Sequence, residues 1–131
     1  MISELQVMVA LFGRLTDQTS AVVLFGEPAS VQQTPLLYLL SQQSDYAQHT
    51  RTSYAATLAP RVRIVVAWQE PPAAEIQLLG LVDEIVALVT DAPIADACVC
   101  MVRQILYGYL SVGGTRYRMA QLALVVEQDE L

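Results

Sequence analysis

The chain has 131 residues, 7 basic against 13 acidic side chains, 54% hydrophobic residues and a mean hydropathy of +0.42. That length fits a single domain, able to bury roughly two-thirds of its extended surface around one core, and the composition excludes a disordered chain. A net charge of −6 with no basic stripe speaks against a grip on nucleic-acid phosphates.

Along the chain, Ser3 to Leu15 carries apolar residues at Leu5, Met8, Val9, Phe12 and Leu15, the spacing of one helix face. Ser3 and Gln6 suit a capping box, and Gly13 weakens the last turn, so this helix is expected to end near Arg14 or Leu15. Two short extended runs follow. Ala21 to Phe25 ends at Gly26, and Leu36 to Leu40 starts after Pro35; both are bulky and bounded by turn residues, as strands are.

Ser41 to Pro60 is then almost free of large apolar side chains apart from Tyr46, Tyr54 and Leu58 near its end, and is filled with Gln, Ser, Thr, Asp, His and Arg. A polar connection this long inside a compact domain is usually functional or disordered. It reads as a long polar loop before the third strand, mobile in the free subunit and ordered against a partner. Its candidate contacts are Tyr46, Arg51 and Tyr54, with His49 as a weaker one, because rings and guanidinium groups are enriched at interface centres.

Arg61 to Gln69 alternates cleanly. Val62, Ile64, Val66 and Trp68 face one way, and Arg61, Arg63, Val65, Ala67 and Gln69 the other. After Glu70-Pro71-Pro72, the set Leu78, Leu79, Val82, Ile85, Val86 and Val89 makes a wide apolar stripe on a helix from Ala73 to Thr90. A stripe that wide predicts packing on a sheet plus a further contact. Asp91-Ala92-Pro93 stops it. The last third reads as a hairpin, with one strand within Cys98 to Leu110, Gly113-Gly114 in the turn and a return strand from Thr115 to about Glu127. The acidic residues after it are expected to fray. The order α-β-β-β-α-β-β has too few helices for repeated βαβ units, so the predicted fold is α+β, one domain spanning 1–131, with two helices and a mostly antiparallel sheet.

The inventory for chemistry is thin. His49 is the only histidine, and a nucleophile–base arrangement would have to use it; by itself it reads as a solvated loop histidine. Cys98 and Cys100 lack the second ligand pair that structural zinc wants, and one intervening residue is not the redox spacing, so they read as core cysteines on one side of a strand. Asp83-Glu84 sits on the polar stripe of the second helix, and Gly113-Gly114 has no following helix or P-loop lysine. No catalytic residue, metal or cofactor is expected. Met1 to Leu15 places Glu4 early and Arg14 late, the reverse of a secretion signal, and no apolar run nears the roughly 18–20 residues that span a bilayer. The expected setting is a reducing cytoplasm, with no membrane partner.

All seven basic residues are arginine, and only 15% of residues are charged. An average soluble domain carries about 25%, so part of this surface is expected to meet another subunit. Arg61 with Arg63, and Arg116 with Arg118, lie two apart on strands. The pairs suit either one exposed charged face or rows of guanidinium groups meeting the carboxylates of a neighbouring subunit.

The order of elements, with Arg61-Val-Arg-Ile-Val-Val-Ala-Trp68, a second helix starting near Ala73-Ala-Glu-Ile76, and the closing stretch Tyr109-Leu-Ser-Val-Gly-Gly-Thr-Arg-Tyr-Arg-Met-Ala-Gln-Leu-Ala-Leu-Val-Val-Glu-Gln128, resembles the tail terminator (tail-completion) proteins of long-tailed bacteriophages, the lambda-like tail terminator family. The resemblance covers nearly the whole chain and rests on layout, since that family has no catalytic motif. It implies a small α+β subunit in the virion, assembled in the bacterial cytoplasm as a homohexameric ring on the head-proximal end of the tail tube. Its implied partners are its own copies, the major tail tube protein and the head-completion or connector proteins, with DNA passing through without specific binding. An acidic balance suits such a passage, because like charge prevents adhesion. Two other readings stay open: a head–tail connector or stopper component, and a small α+β enzyme or ligand-binding domain.

Overall fold

In the computed structural model the described residues are 4–19, 21–41, 44–48, 54–69, 72–90 and 98–129, and of residues 4, 44–48, 54–57, 98, 99, 128 and 129 only the backbone is described. The elements are α1 (Glu4–Gln18), β1 (Val22–Phe25), β2 (Leu36–Leu40), β3 (Ser44–Gln48), β4 (Tyr54–Leu58), β5 (Arg61–Ala67), α2 (Ala73–Thr90), β6 (Cys98–Val112) and β7 (Thr115–Asp129). The expected α+β class, with two helices on a mostly antiparallel sheet, is what the chain forms.

Strands run in the order β1-β2-β5-β7-β4-β3, with β6 on the remaining edge of β7. The register shows how these pieces join. Leu58 pairs with Val126 and Arg61 with Ala123, so β4 and β5 meet β7 as one continuous run through Ala59 and Pro60. The Pro60 carbonyl accepts from the Leu124 N–H at 3.0 Å. On the other side of that run, the pairing steps by one residue between Leu40↔Arg61 and Ser44↔Leu58. Pro60 faces β7 and has no N–H to give to that ladder, which accounts for the gap between β4 and β5.

The polar stretch after Ser41 therefore differs from expectation. Instead of one long loop it holds the β3–β4 hairpin, in which Tyr46 pairs with Ala56 and Gln48 with Tyr54. Its small, polar side chains carry little hydrophobic signal. The backbone is nevertheless extended, because β3 and β4 prolong β2 and β5 and because β7 offers β4 a paired edge from Val126 to Asp129. The acidic end of β7, expected to fray, is that paired edge. The exception to antiparallel pairing is β1 beside β2, joined by residues 26–35, which cross the sheet face away from the helices.

Both helices pack on the other face. In α1 the buried residues are Val7, Met8, Leu11 and Leu15, while Leu5 is 66% and Val9 54% exposed. The buried stripe is thus rotated from the expected one, because Val7 and Leu11 complete a second, tighter run at helical spacing. Leu15, fully buried, holds the last turn and outweighs the roughly 1 kcal/mol cost of Gly13, so α1 continues to Gln18. Ser3 lies outside the described residues. In α2 the buried set is Ala74, Leu78, Val82, Ile85 and Val89, which presses on Val62, Ile64, Val66, Ala120, Leu122, Leu124 and Val126 of the sheet. Arg14 ties the helices together by donating to the Leu88 carbonyl at 3.2 Å.

The β6–β7 hairpin is the longest feature, 15 residues a side, or about 50 Å at ~3.4 Å per residue. Gly113 and Gly114 turn it with φ of 58° and 81°, the paired positive values that match the twist of a two-residue hairpin. Among the described residues, β6 has no partner on its outer edge.

Candidate functional site

The arginine pairs were candidates for one charged sheet face. They lie on opposite faces. Arg63 donates from Nε to Gln121 Oε1 at 2.7 Å and from Nη1 to the Tyr38 hydroxyl at 3.1 Å, on the face away from the helices. It also lies 3.6 Å from the Glu27 carboxylate. Arg118, next to Val66 in register, points to the helix face. There it meets Glu75 in the first turn of α2 through Nε at 2.5 Å and Nη2 at 3.3 Å, and donates to the Gly108 carbonyl at 2.7 Å. Strand alternation fixes which arginines share a strand side; only the pairing between strands decides which side that is.

Arg63 and Arg118 are therefore occupied within the subunit. The fork from Arg118 holds the Glu75 carboxyl below its ordinary range, chiefly through the hydrogen bond, and Glu75 in turn raises Arg118. Arg61 and Arg116 are different. Neither makes a hydrogen bond or ion pair with a described residue. Arg116 instead lies against two adjoining rings, 4.0 Å from the Tyr109 centroid and 5.2 Å from that of Trp68. Those rings meet each other at 5.8 Å, and Arg118 lies 4.8 Å from Tyr109. Trp68 is 48% and Tyr109 50% exposed. Trp68 alternates with Val62, Ile64 and Val66 in sequence; unlike them it is exposed, and it lies against Tyr109 and Arg116.

Of the polar-stretch candidates, Tyr46 and Tyr54 sit in adjacent strands, and His49 and Arg51 lie outside the described residues. Trp68, Glu75, Tyr109 and Gln121 were not among the candidate site residues, although the sequence shows Glu75 as an acid in the first turn of a helix and Gln121 as a polar residue, 9% exposed, inside the apolar run of β7.

Further along β6, Met101, Leu106 and Tyr107 are each about half exposed. A bulge between Val102 and Gln104 leaves Arg103 without a partner in the ladder, a common guard on open edges. Cys100 is buried on the helix face; burial pushes its thiol up to about 11, against a smaller opposing pull from Arg14. Among the described residues no three His, Cys, Asp or Glu side chains come together as metal ligands, and no helix is long and apolar enough to cross a membrane. A groove of about 410 Å³ beside β1 is lined by Val22, Leu24, Pro28, Ala29, Ser30, Gln32, Gln33 and Leu36, apolar and amide surface with no acid or base. No protein-family model matches the chain, and no curated protein does either.

Taken together, the described residues offer arginine-on-aromatic surface at one end of a long hairpin and an open, half-apolar strand edge along it. Such surface suits recognition between macromolecules, where aromatic and arginine side chains carry much of the binding energy.

Proposed function

We propose that the chain is a structural tail protein of a bacteriophage, a terminator that forms a hexameric ring on the head-proximal end of the tail tube. The ring stops tube growth and presents the surface to which the head joins, while DNA passes through an acidic subunit assembly without being gripped. The carrying observation is β6: a 15-residue edge strand with no partner on its outer side among the described residues and with Met101, Leu106, Tyr107 and Tyr109 exposed. In a chain so poor in charge, an edge of this length asks for cover by a neighbour. The likeness of layout to the tail terminators gives that neighbour a place and a number.

The test is electron microscopy of tail tubes assembled with and without the protein. Added protein is expected to leave tubes of uniform length, each with a six-fold cap at one end, and its omission to give overlong tubes. Binding to DNA-filled heads with no effect on tubes would assign the chain to the stopper role instead. A dimer or an isolated subunit in the assembled particle would overturn the reading.

A further inference from the structure

We propose that Arg116 is the docking point for a second copy of this chain, and that it takes the carboxylates of Asp83 and Glu84 on the next copy's α2. The proposal rests on the ring reading only in taking the partner to be another copy; the residues come from charges that meet no opposite charge among the described residues.

A guanidinium stacked on an aromatic face keeps its N–H groups in its own plane, where a carboxylate can be met in two-point fashion. Tyr109 carries Arg116 in that way at 4.0 Å, with Trp68 beside it at 5.2 Å, at an entropic advantage over a free arginine side chain, which must be immobilised on binding. Among the described residues, the Glu75 carboxylate is taken by Arg118. Arg118 and Glu75 thus brace the platform from behind, since Arg118 also lies against Tyr109.

On the acceptor side, Asp83 and Glu84 are exposed in the middle of α2, and neither meets a cation among the described residues. They lie two turns beyond Glu75, away from the buried stripe of Leu78, Val82 and Ile85. Donor and acceptor are separate patches on one chain, so joining them between copies is a head-to-tail contact, which closes into a ring or continues as a filament. Complementary charge of this kind fixes register and partner choice more than raw affinity. A nucleic-acid base stacked on Trp68 is the rival use of the same platform; the net charge of −6 disfavours it.

A charge swap on the full chain tests the contact, read by sedimentation velocity and by ring occupancy on tube ends. Arg116→Glu alone, and Asp83→Arg with Glu84→Arg, should each weaken association about tenfold, and the three together should restore it to within about threefold of the unaltered chain. Trp68→Ala, which changes no charge, should weaken it as well. All variants alter exposed positions, and circular dichroism checks that each is folded. Folded variants with no restoration in the triple would overturn the contact while leaving the ring on tube ends standing. Association of the unaltered chain in neither assay would overturn the contact and the ring together. Binding of single-stranded DNA that Arg116→Glu abolishes, with association unchanged, would give the platform to bases and overturn the proposal.

Discussion

The two faces of the sheet use the same strands for different ends. Toward the helices, β2, β5 and β7 present Leu37, Leu39, Val62, Ile64, Val66, Ala120, Leu122 and Leu124, all buried, under two amphipathic helices. Toward the other side only Leu36, Tyr38 and Val65 are buried as a cluster, with Val31 of the 26–35 crossing packed against them. The thin cover leaves room for polar groups, and Arg63 is held there because Gln121, Tyr38 and Glu27 satisfy it. On the helix face Arg118 needs the same provision, and Glu75 of α2 and the Gly108 carbonyl supply it. The lesson is that a guanidinium on either face of the sheet needs partners from the elements around it, and that on the thin face these help to fix a register that packing alone would not.

Substitutions can break that contrast. Leu122→Ala, at the centre of the helix face, should cost about 2–5 kcal/mol in urea unfolding, whereas Val65→Ala on the thin face should cost about 1–2 kcal/mol. Equal losses would mean that the thin face packs as well as the thick one. Gln121→Ala leaves Arg63 Nε without its acceptor and should cost about 1–2 kcal/mol, with less loss in an Arg63→Met background; an unchanged loss there would remove the network from the account. A smaller effect belongs to Cys100, whose folded value of about 11 exceeds the unfolded ~8.5. A raised value means that stability is complete below the unfolded value and falls as pH rises between the two, because only the unfolded chain releases the proton. Cys100→Val should lose less stability than the parent chain across that alkaline window. Smallest is Glu75→Gln. The Glu75 carboxyl is held below its ordinary value, so its contribution is present above the unfolded value and lost as pH falls through the folded one. The difference between Glu75→Gln and the parent should be slight at neutral pH and vanish in acid.

Much of the architecture was legible because periodicity is strong where burial is one-sided. Val62, Ile64 and Val66 alternate against Arg61 and Arg63, and Leu78, Val82, Ile85 and Val89 recur at helical spacing. Gly113-Gly114 marks a turn that only glycine makes without strain. The β3–β4 hairpin was not legible, since Tyr46, Ala47, Ala55 and Ala56 carry neither alternation nor bulk; those residues are extended because of the strands they prolong. The candidate site was legible in part. Arg116 and Arg118 were singled out, yet nothing local distinguishes the one bound to Glu75 from the one resting on Tyr109. That distinction depends on where α2 begins relative to a hairpin whose Arg118 lies 43 residues beyond Glu75.

β7 is the hub of the sheet. It pairs with β4, β5 and β6, and it is the last of the described strands in the chain. During synthesis, α1, β1 to β5 and α2 leave the ribosome with one flank of β5 unpaired and with Val62, Ile64 and Val66 only partly enclosed. That place belongs to β7, so closure of the core waits until β7 has emerged. The hairpin is well suited to so late an arrival. β6 and β7 are joined by a two-residue turn, and local pairing of that kind forms in microseconds rather than the milliseconds typical of distant strands. The subunit thus passes from an open half-sheet to a finished one in a single late step, and a nascent chain arrested before Thr115 should be held by chaperones in place of folding.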